Sequence, residues 1–209
     1  MTNDPQLLQE LVDSGLPPEI HDRLGYCSVT AQEAKQLTGH EQEGWVVPYR
    51  DPDGKPYQHN GKNFYRLKPH GFKEGSPKYL SSAKAGCRPY FSPLFPKGHL
   101  GTVRNLFITE GEKKTDCLNL NHFPTIGLSG IWCWKDQRSG DSQPIPELEA
   151  INWKRQVYVV FDSDLTLNPK IRVALAELCT WLANQAGHPF IPKVVQLPCE
   201  LNGDKNGTD

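Results

Sequence analysis

Apolar residues recur at helical spacing in the first part of the chain. Over residues 5–14 they fall three and four positions apart, which predicts an amphipathic helix. Two further short helices are predicted over 17–24 and over 30–39, the latter because Thr30 is followed three residues later by a glutamate. Residues 1–43 are therefore predicted to form a helical segment. This segment either caps the domain behind it or provides a docking surface for a partner or a neighbouring domain.

From Gly44 onward the pattern changes to short apolar runs that are separated by turn residues. The segments 45–49 and 64–67 are typical of strands, and the Asp-Pro-Asp-Gly sequence at 51–54 favours a turn between them. We predict a small β-rich subdomain over residues 44–104.

Beyond residue 104, runs of β-branched and aromatic residues alternate with helical patterns. Four runs are typical of buried strands: 106–109, 124–128, 157–161 and 193–197. Helical patterns over 112–120 and 169–185 lie between them. This alternation predicts an α/β domain over residues 105–209, with a mostly parallel sheet and helices on both faces.

Two of these predicted strands end in acidic residues. Glu110 follows the first strand, and Asp162 and Asp164 follow the third. Because α/β proteins bind ligands at the carboxyl ends of parallel strands, we expect these three carboxylates to lie close together. Their oxygens are suited to Mg²⁺, and without a metal the like charges would repel one another.

The residues that follow Glu110 favour phosphate binding. Gly111 allows a tight turn into the helix that begins near Glu112, and Lys113 and Lys114 lie in the first turn of this helix. The free N–H groups of a helix N-terminus, together with the two lysines, would attract a phosphate.

The segments ITEGEKK at 108–114 and VVFDSD at 159–164 resemble the Toprim domain that bacterial-type primases, topoisomerases and some nucleases share. They are most similar to the primase-like Toprim domains of phage and plasmid replication proteins. The resemblance implies that Glu110 is the catalytic glutamate and that Asp162 and Asp164 are metal ligands. The bacterial replicative primases have glycines around this acidic motif, where the present chain reads DSDLTLNP.

In primases of this type a second acidic pair follows the last strand. The resemblance therefore implies that Asp204 and Asp209 extend the metal site. The alternative is that these acids are solvated and bind nothing.

The segments VPYRDPDGK at 47–55 and SPKYLSS at 76–82 resemble the basic subdomain that precedes Toprim in bacterial-type primases. The two resemblances together span residues 44–209. Residues 50–104 carry eleven basic and three acidic residues, whereas the whole chain has a net charge of −1. This asymmetry predicts a basic face beside an acidic site, and an ordinary solvated surface is the alternative.

In this interpretation Arg50, Lys78 and Arg88 contact template or nucleotide phosphates. The expected partners are single-stranded DNA and nucleoside triphosphates, with a helicase domain or subunit as a further candidate. Aromatic residues are interleaved with the basic ones and either stack on single-stranded bases or form the subdomain core: Tyr49, Tyr65, Tyr79, Tyr90 and Phe91.

The composition bears on the cellular setting. The sequence has no apolar run long enough to span a membrane, and its acidic N-terminus lacks the features of a signal peptide, so we expect a cytoplasmic protein. The six cysteines form no CxxC pair and have no histidine at zinc-finger spacing. We expect them to be reduced residues that are buried or half-buried.

These features favour a primase-type nucleotidyltransferase core that makes primers on single-stranded DNA with two Mg²⁺ or Mn²⁺ ions, as part of a mobile-element replication protein. The first alternative is a Toprim nuclease that uses the same metals, with Glu110 as general base. The second is a non-catalytic nucleic-acid-binding module, which would keep the basic face and need no metal.

Overall fold

Two β-sheets form the framework of the protein. The computed structural model describes residues 4–71, 75, 77–82, 84–136, 141–163, 168–187, 189–198 and 207–208. The first sheet lies in the N-terminal half of the chain, and the second forms the centre of the C-terminal half. No helix among these described residues is long and apolar enough to cross a membrane.

The N-terminal segment contains the predicted helices. They are α1 (Pro5–Asp13), α2 (His21–Leu24) and α3 (Ala31–Thr38), and a 3₁₀ turn (Pro18–Ile20) precedes α2. The Thr30 hydroxyl accepts a hydrogen bond from the Glu33 N–H, while the Glu33 carboxylate accepts one from the Thr30 N–H, so the predicted capping signal is confirmed. Leu7 and Leu11 of α1 pack in the apolar cluster on the first sheet. The N-terminal helices therefore act as a cap on this sheet.

Six strands lie in the described part of residues 27–81. They are β1 (Cys27–Val29), β2 (Gly44–Pro48), β3 (Gln58–His59), β4 (Lys62–Asn63), β5 (Tyr65–Pro69) and β6 (Leu80–Ser81). Strands β3 and β4 form a small hairpin, and the others form an antiparallel sheet in the order β1-β2-β5-β6. Strands β2 and β5 correspond to the strands predicted at 45–49 and 64–67, and they pair with Val47 opposite Arg66. Alternate side chains of β5 face opposite ways, so Arg66 and Lys68 share a face that Leu67 does not.

Among the described residues, the second sheet has five strands: β7 (Tyr90–Phe91), β8 (Asn105–Glu110), β9 (Thr125–Leu128), β12 (Gln156–Val160) and β13 (Lys193–Val195). Their order across the sheet is β13-β12-β8-β9-β7. The neighbours from β13 to β9 are parallel, whereas β7 runs antiparallel to β9. The predicted α/β class is confirmed, and the sheet is mixed because β7, from the segment 44–104, adds an antiparallel edge strand.

Helices pack on both faces of the second sheet. They are α4 (Glu112–Leu120), α5 (Pro146–Glu149) and α6 (Pro169–Ala186), and a short hairpin of β10 (Lys135–Asp136) and β11 (Gln143–Pro144) precedes α5. Side chains of α5 and α6 share the largest apolar cluster with Leu106 and Ile108 of β8. In contrast, α4 packs with Cys117 and Leu120 against the cluster of the N-terminal half. This helix therefore lies between the two sheets, and its N-terminus faces the edge where β8 ends.

A glycine brings α4 close to the second sheet. A Cβ atom on Gly127 of β9 would lie 2.3 Å from the Thr115 hydroxyl oxygen, a distance that a side chain could not occupy. The close approach of α4 to β9 therefore requires glycine at this position.

Candidate active site

Glu110 and Asp162 lie at the same edge of the second sheet. Glu110 is the last residue of β8, and Asp162 lies two residues beyond the end of β12, its parallel neighbour. The Thr109 hydroxyl donates a 2.7 Å hydrogen bond to the Val160 carbonyl oxygen and ties the two strand ends together. Both carboxylates line one cavity of about 560 Å³. Asp164, Asp204 and Asp209, the other predicted ligands, lie outside the described residues.

The chain turns sharply between Glu110 and α4. Gly111 has φ of +94°, in the region that favours glycine, and its N–H donates a 2.8 Å hydrogen bond to the Leu128 carbonyl oxygen. The predicted tight turn into the helix is therefore present. It places the first turn of α4 in the wall of the cavity, with Gly111, Lys113 and Lys114 among the lining residues.

The two lysines of α4 have different partners. The Lys114 ammonium group contacts Asp162 Oδ1, so a cation already faces one of the two carboxylates. The Lys113 ammonium group lies 3.2 Å from Glu10 Oε2 of α1, and Lys68 of β5 contacts the other oxygen of the same carboxylate. Burial raises the pKa of Glu10, but these two lysines hold it below its usual value. Lys113 is thus partly neutralised by the N-terminal cap.

The opposite wall of the cavity comes from β5 and from the residues that lead into β6. Arg66, Pro77, Lys78 and Tyr79 line it, so the basic segment faces the acidic sheet edge. The Arg66 guanidinium lies 5.0 Å from the centroid of the Tyr79 ring. Its Nε atom is buried without a hydrogen-bond partner among the described residues. A buried N–H beside a polar cavity is suited to an anionic ligand.

Arg66 is held in place by a buried acid of α4. It donates a 2.6 Å hydrogen bond to Glu112 Oε1, and the Tyr49 hydroxyl donates a second one, also 2.6 Å, to the same oxygen. Burial lowers the pKa of Arg66, but the Glu112 carboxylate raises it well above the usual value, so Arg66 stays charged. The sequence pattern alone did not single out Arg66. The available signal was the pair Arg66 and Lys68, two positions apart on a strand whose alternate face is apolar.

Arg50 and Arg88 do not line this cavity. Arg50 lines a second cavity of about 230 Å³, together with Arg23 and Lys97. Arg88 is buried; its Nε lies 3.2 Å from Glu147 Oε1, and its guanidinium also donates a hydrogen bond to the Ala85 carbonyl oxygen. Of the three basic residues grouped by the sequence analysis, the cavity brings in only Lys78.

Most of the interleaved aromatic residues belong to the core. Tyr49, Tyr90 and Phe91 are almost fully buried. The Tyr90 hydroxyl donates hydrogen bonds to the Asp116 carboxylate at 3.0 and 3.1 Å, so the Tyr90 side chain is bonded to α4. Tyr79 is half-buried and lines the cavity, and its ring faces the Arg66 guanidinium. The core interpretation therefore holds for Tyr49, Tyr90 and Phe91.

The donor atoms at the sheet edge fit a hard divalent cation. Glu110 and Asp162 supply carboxylate oxygens, and Ser129, which also lines the cavity, supplies a hydroxyl. Oxygen donors of this kind suit Mg²⁺ and Mn²⁺. Within the described part of the chain no group of three or more His, Cys, Asp or Glu residues is placed to hold a metal.

Comparisons with known proteins give a family and a fold. Residues 102–209, just over half of the chain, match the family described as "Domain of unknown function (DUF3854)". A comparison with curated proteins finds no significant match. A crystal structure of the Aquifex aeolicus primase, with its zinc-binding and RNA polymerase domains, matches with a TM-score of 0.58 at 13% sequence identity.

The match to the Aquifex primase covers 93% of this chain and 50% of that one, so the chain spans about half the length of the solved structure. At this identity the likeness concerns the fold alone. It includes the N-terminal half as well as the α/β half, and the protein therefore has a primase-like α/β fold.

Proposed function

We propose that this chain, which belongs to the DUF3854 family, is the catalytic core of a Toprim-type DNA primase that joins nucleotides on a single-stranded DNA template. One observation carries the proposal: the carboxylates of Glu110 and Asp162 line the same cavity as the basic residues Arg66, Lys78 and Lys114. The primase-like fold supports it independently. A nucleoside triphosphate is strongly anionic and is normally bound together with a divalent metal, and this cavity offers groups for both.

Each wall of the cavity has its own part in the proposed reaction. Glu110 and Asp162, with Asp164, Asp204 and Asp209 as further proposed ligands, would hold Mg²⁺ or Mn²⁺. When bound, these ions would supply the positive charge that activates the primer 3′-hydroxyl and stabilises the leaving pyrophosphate. Lys78 and Arg66 would bind and orient the triphosphate from the opposite side. Tyr79, which packs on Arg66, would limit the positions available to the nucleotide.

A metal-dependent nuclease would use the same acids, so the basic wall is what favours polymerisation. A nuclease binds a single phosphodiester, whereas a polymerase must also hold a triphosphate and a template. The first sheet supplies the additional basic residues, and it faces the acidic edge across the cavity. We further propose a role in the replication of a mobile element, together with a helicase domain or subunit.

A primer-synthesis assay tests the proposal directly. The protein is incubated with single-stranded DNA, labelled nucleotides and Mn²⁺, and a nuclease assay is run in parallel. We expect labelled oligonucleotides from the wild type and none from Glu110→Gln or Asp162→Asn. Asp141→Asn is the matched control, because Asp141 is exposed and does not line the cavity.

The two assays separate the candidates. Cleavage without synthesis would favour the nuclease. The absence of both activities, with nucleic-acid binding retained, would leave a non-catalytic binding module.

A further inference from the structure

The second cavity, which Arg50 lines, lies at the opposite end of strand β9 from the candidate active site. Its volume is about 230 Å³, and it is formed by α2, by the turn that follows β2 and by the segment that follows β7. Because β7 runs antiparallel to β9, the chain beyond Phe91 leaves the sheet where β9 begins, whereas Ser129 of the candidate active site follows the end of β9. The two cavities share no lining residue among the described parts of the chain.

Three cations line the second cavity, and none of them forms an ion pair with another described residue. They are Arg23, Arg50 and Lys97. The Arg23 guanidinium donates a 3.2 Å hydrogen bond to the Pro93 carbonyl oxygen, which anchors this exposed side chain to the cavity wall. An added Cβ atom on Gly25 would lie 3.3 Å from a guanidinium nitrogen of Arg50, so Arg50 packs closely on the backbone. The three charges are therefore held near one another and are available to an anion.

The one acid among the described lining residues is already used by the local turn. Oδ1 of Asp51 accepts 2.9 Å hydrogen bonds from the N–H groups of Asp53 and Lys55. The Gly54 N–H donates a 2.9 Å hydrogen bond to the Asp51 carbonyl oxygen and closes the turn. Three positive charges and one negative charge leave this lining with a net charge of +2.

An apolar floor lies beneath the charges. Phe91 and Phe95 are buried, and their ring centroids are 5.9 Å apart. An added Cβ atom on Gly54 would lie 3.3 Å from Lys97 Cε, so the lysine stem packs closely on the turn. Because apolar surroundings screen charges less than water does, the cations should attract an anion more strongly here than on an open surface.

We propose that the second cavity is a binding site for a phosphate monoester, separate from the candidate active site. At pH 7 a monoester carries a charge of about −1.5 to −2, which matches the net charge of the lining, whereas a phosphodiester carries a single negative charge. Its oxygens accept charge-assisted hydrogen bonds from guanidinium and ammonium groups. The cavity is smaller than the roughly 300–1,000 Å³ of pockets for drug-sized ligands, so it holds the phosphate group and leaves the rest of a larger molecule outside.

Two sources can present this group to the cavity. One is the 5′ end of a nucleic-acid strand, and the other is a small phosphorylated molecule. Both have the same chemistry at the three cations. Binding requires neither a metal nor a reaction, so the proposal does not rest on the function proposed for the candidate active site.

The first test compares two 3′-labelled single-stranded oligonucleotides of one sequence, with a 5′-phosphate or a 5′-hydroxyl, in buffer without metal. The wild type should bind the phosphorylated form about tenfold more tightly, because that form adds hydrogen bonds between charged groups. Arg50→Ala with Lys97→Ala should reduce this ratio to about one. The control, Lys35→Ala with Lys154→Ala, also removes two positive charges, but at exposed sites outside both cavities, and it should keep the ratio.

Glycerol 3-phosphate is the probe for a small phosphorylated molecule. In a calorimetric titration it should give heat with the wild type and with the control, and none with the double variant of Arg50 and Lys97. Such heat without a preference for the 5′-phosphate upholds the proposal for a small molecule, and the preference upholds it for a nucleic-acid end. The proposal is overturned if neither signal is seen, or if the signals persist unchanged in the double variant.

A second measurement needs no variant. With limiting acetic anhydride, a bound phosphate should slow the acetylation of Lys97 severalfold and leave that of the exposed Lys154 unchanged. Saturating glycerol 3-phosphate and the 5′-phosphorylated oligonucleotide are tested separately, and the 5′-hydroxyl form should protect Lys97 less. Unchanged acetylation of Lys97 with both phosphorylated ligands would overturn the proposal.

Discussion

Arg66 of β5 donates a 2.6 Å hydrogen bond to Glu112 at the first position of α4. The two residues are 46 positions apart, and both side chains are buried. This ion pair joins the antiparallel sheet to the α/β half of the protein. Glu112 lies only two residues after Glu110, so the ion pair also fixes the distance between the basic and acidic walls of the cavity.

Removal of one partner of this pair should destabilise the protein strongly. Among the described residues, Arg66→Ala leaves the buried Glu112 carboxylate with the Tyr49 hydroxyl as its one remaining side-chain partner, and we expect a loss of about 3–5 kcal/mol in the free energy of unfolding. Urea unfolding measures this loss. Lys35→Ala is the matched control, because its ion pair with Glu41 is largely exposed, and it should change stability by less than about 0.5 kcal/mol.

The double variant Arg66→Met with Glu112→Met separates the ion pair from its burial cost. Its stability should exceed that of Arg66→Ala, because no buried charge remains without a partner. If the loss of unfolding free energy in the double variant equals the sum of the losses in Arg66→Met and in Glu112→Met, a direct coupling of these side chains is contradicted.

The local parts of the fold could be predicted from the sequence. Strands β8 and β12 are short apolar runs that end in acid, and Gly111 marks the turn into α4, so the placement of Glu110 and Asp162 at one sheet edge followed from rules on neighbouring residues. The capping residue Thr30 likewise acts on a glutamate three positions away. Each of these signals is complete within a few residues of the chain.

The contacts between the two halves could not be predicted in this way. Arg66 meets Glu112, and Glu10 binds Lys113, only because the first sheet packs on α4. The sequence predicted repulsion among the acids without a metal, and it did not indicate that Lys114 contacts Asp162. Such pairs depend on tertiary packing, which local patterns in a single sequence do not predict.

The stability of the protein should depend on Asp116, which is fully buried in α4 and accepts hydrogen bonds from Tyr26 and Tyr90. Burial raises its pKa to about 7, against the effect of these hydrogen bonds. Between about pH 4 and pH 7 the folded protein therefore holds a proton that the unfolded chain has released. Its contribution to stability is complete below this window and is lost as the pH rises through about 7.

Asp116→Asn tests this pH dependence, because the amide stays neutral at every pH. The variant and the wild type should be similar near pH 4, and the variant should be more stable by a few kcal/mol at pH 8. Urea unfolding across this range gives the comparison. Asp4→Asn should act in the opposite direction: burial raises the pKa of Asp4, but hydrogen bonds from Ser28 and from the Leu7 N–H hold it below its usual value. An unchanged pH profile for Asp116→Asn would contradict the assignment.

Binding of single-stranded DNA should depend on salt through Lys78 and Arg50. Phosphate contacts release counterions, and each lost contact should reduce the slope of log affinity against log salt by about 0.7. The double variant Lys78→Ala with Arg50→Ala should therefore lower the slope by about 1.4 without unfolding the protein. Arg88 is kept, because it is buried and paired with Glu147.

Lys154→Ala is the control for this experiment. Lys154 is exposed and precedes β12, at the opposite end of that strand from Asp162. Its removal should leave the slope unchanged. An equal loss of slope in this variant would mean that binding follows net charge and not the walls of the two cavities.

Metal binding should respond in opposite ways to the removal of Asp162 and of Lys114. Asp162→Asn removes a proposed ligand and should abolish the heat of Mn²⁺ binding in a calorimetric titration. Lys114→Gln removes a cation that contacts the same carboxylate and repels the metal, so it should tighten Mn²⁺ binding about fivefold.

Asp162→Asn should also leave the partly buried Lys114 without this partner and slightly lower the stability of the metal-free protein, instead of relieving repulsion among acids. Asp141→Asn, at an exposed site, should match the wild type in both respects. Weaker Mn²⁺ binding in Lys114→Gln would mean that the lysine supports the metal site and does not compete with it, and flat heats for the wild type would remove the metal-dependent enzyme from consideration.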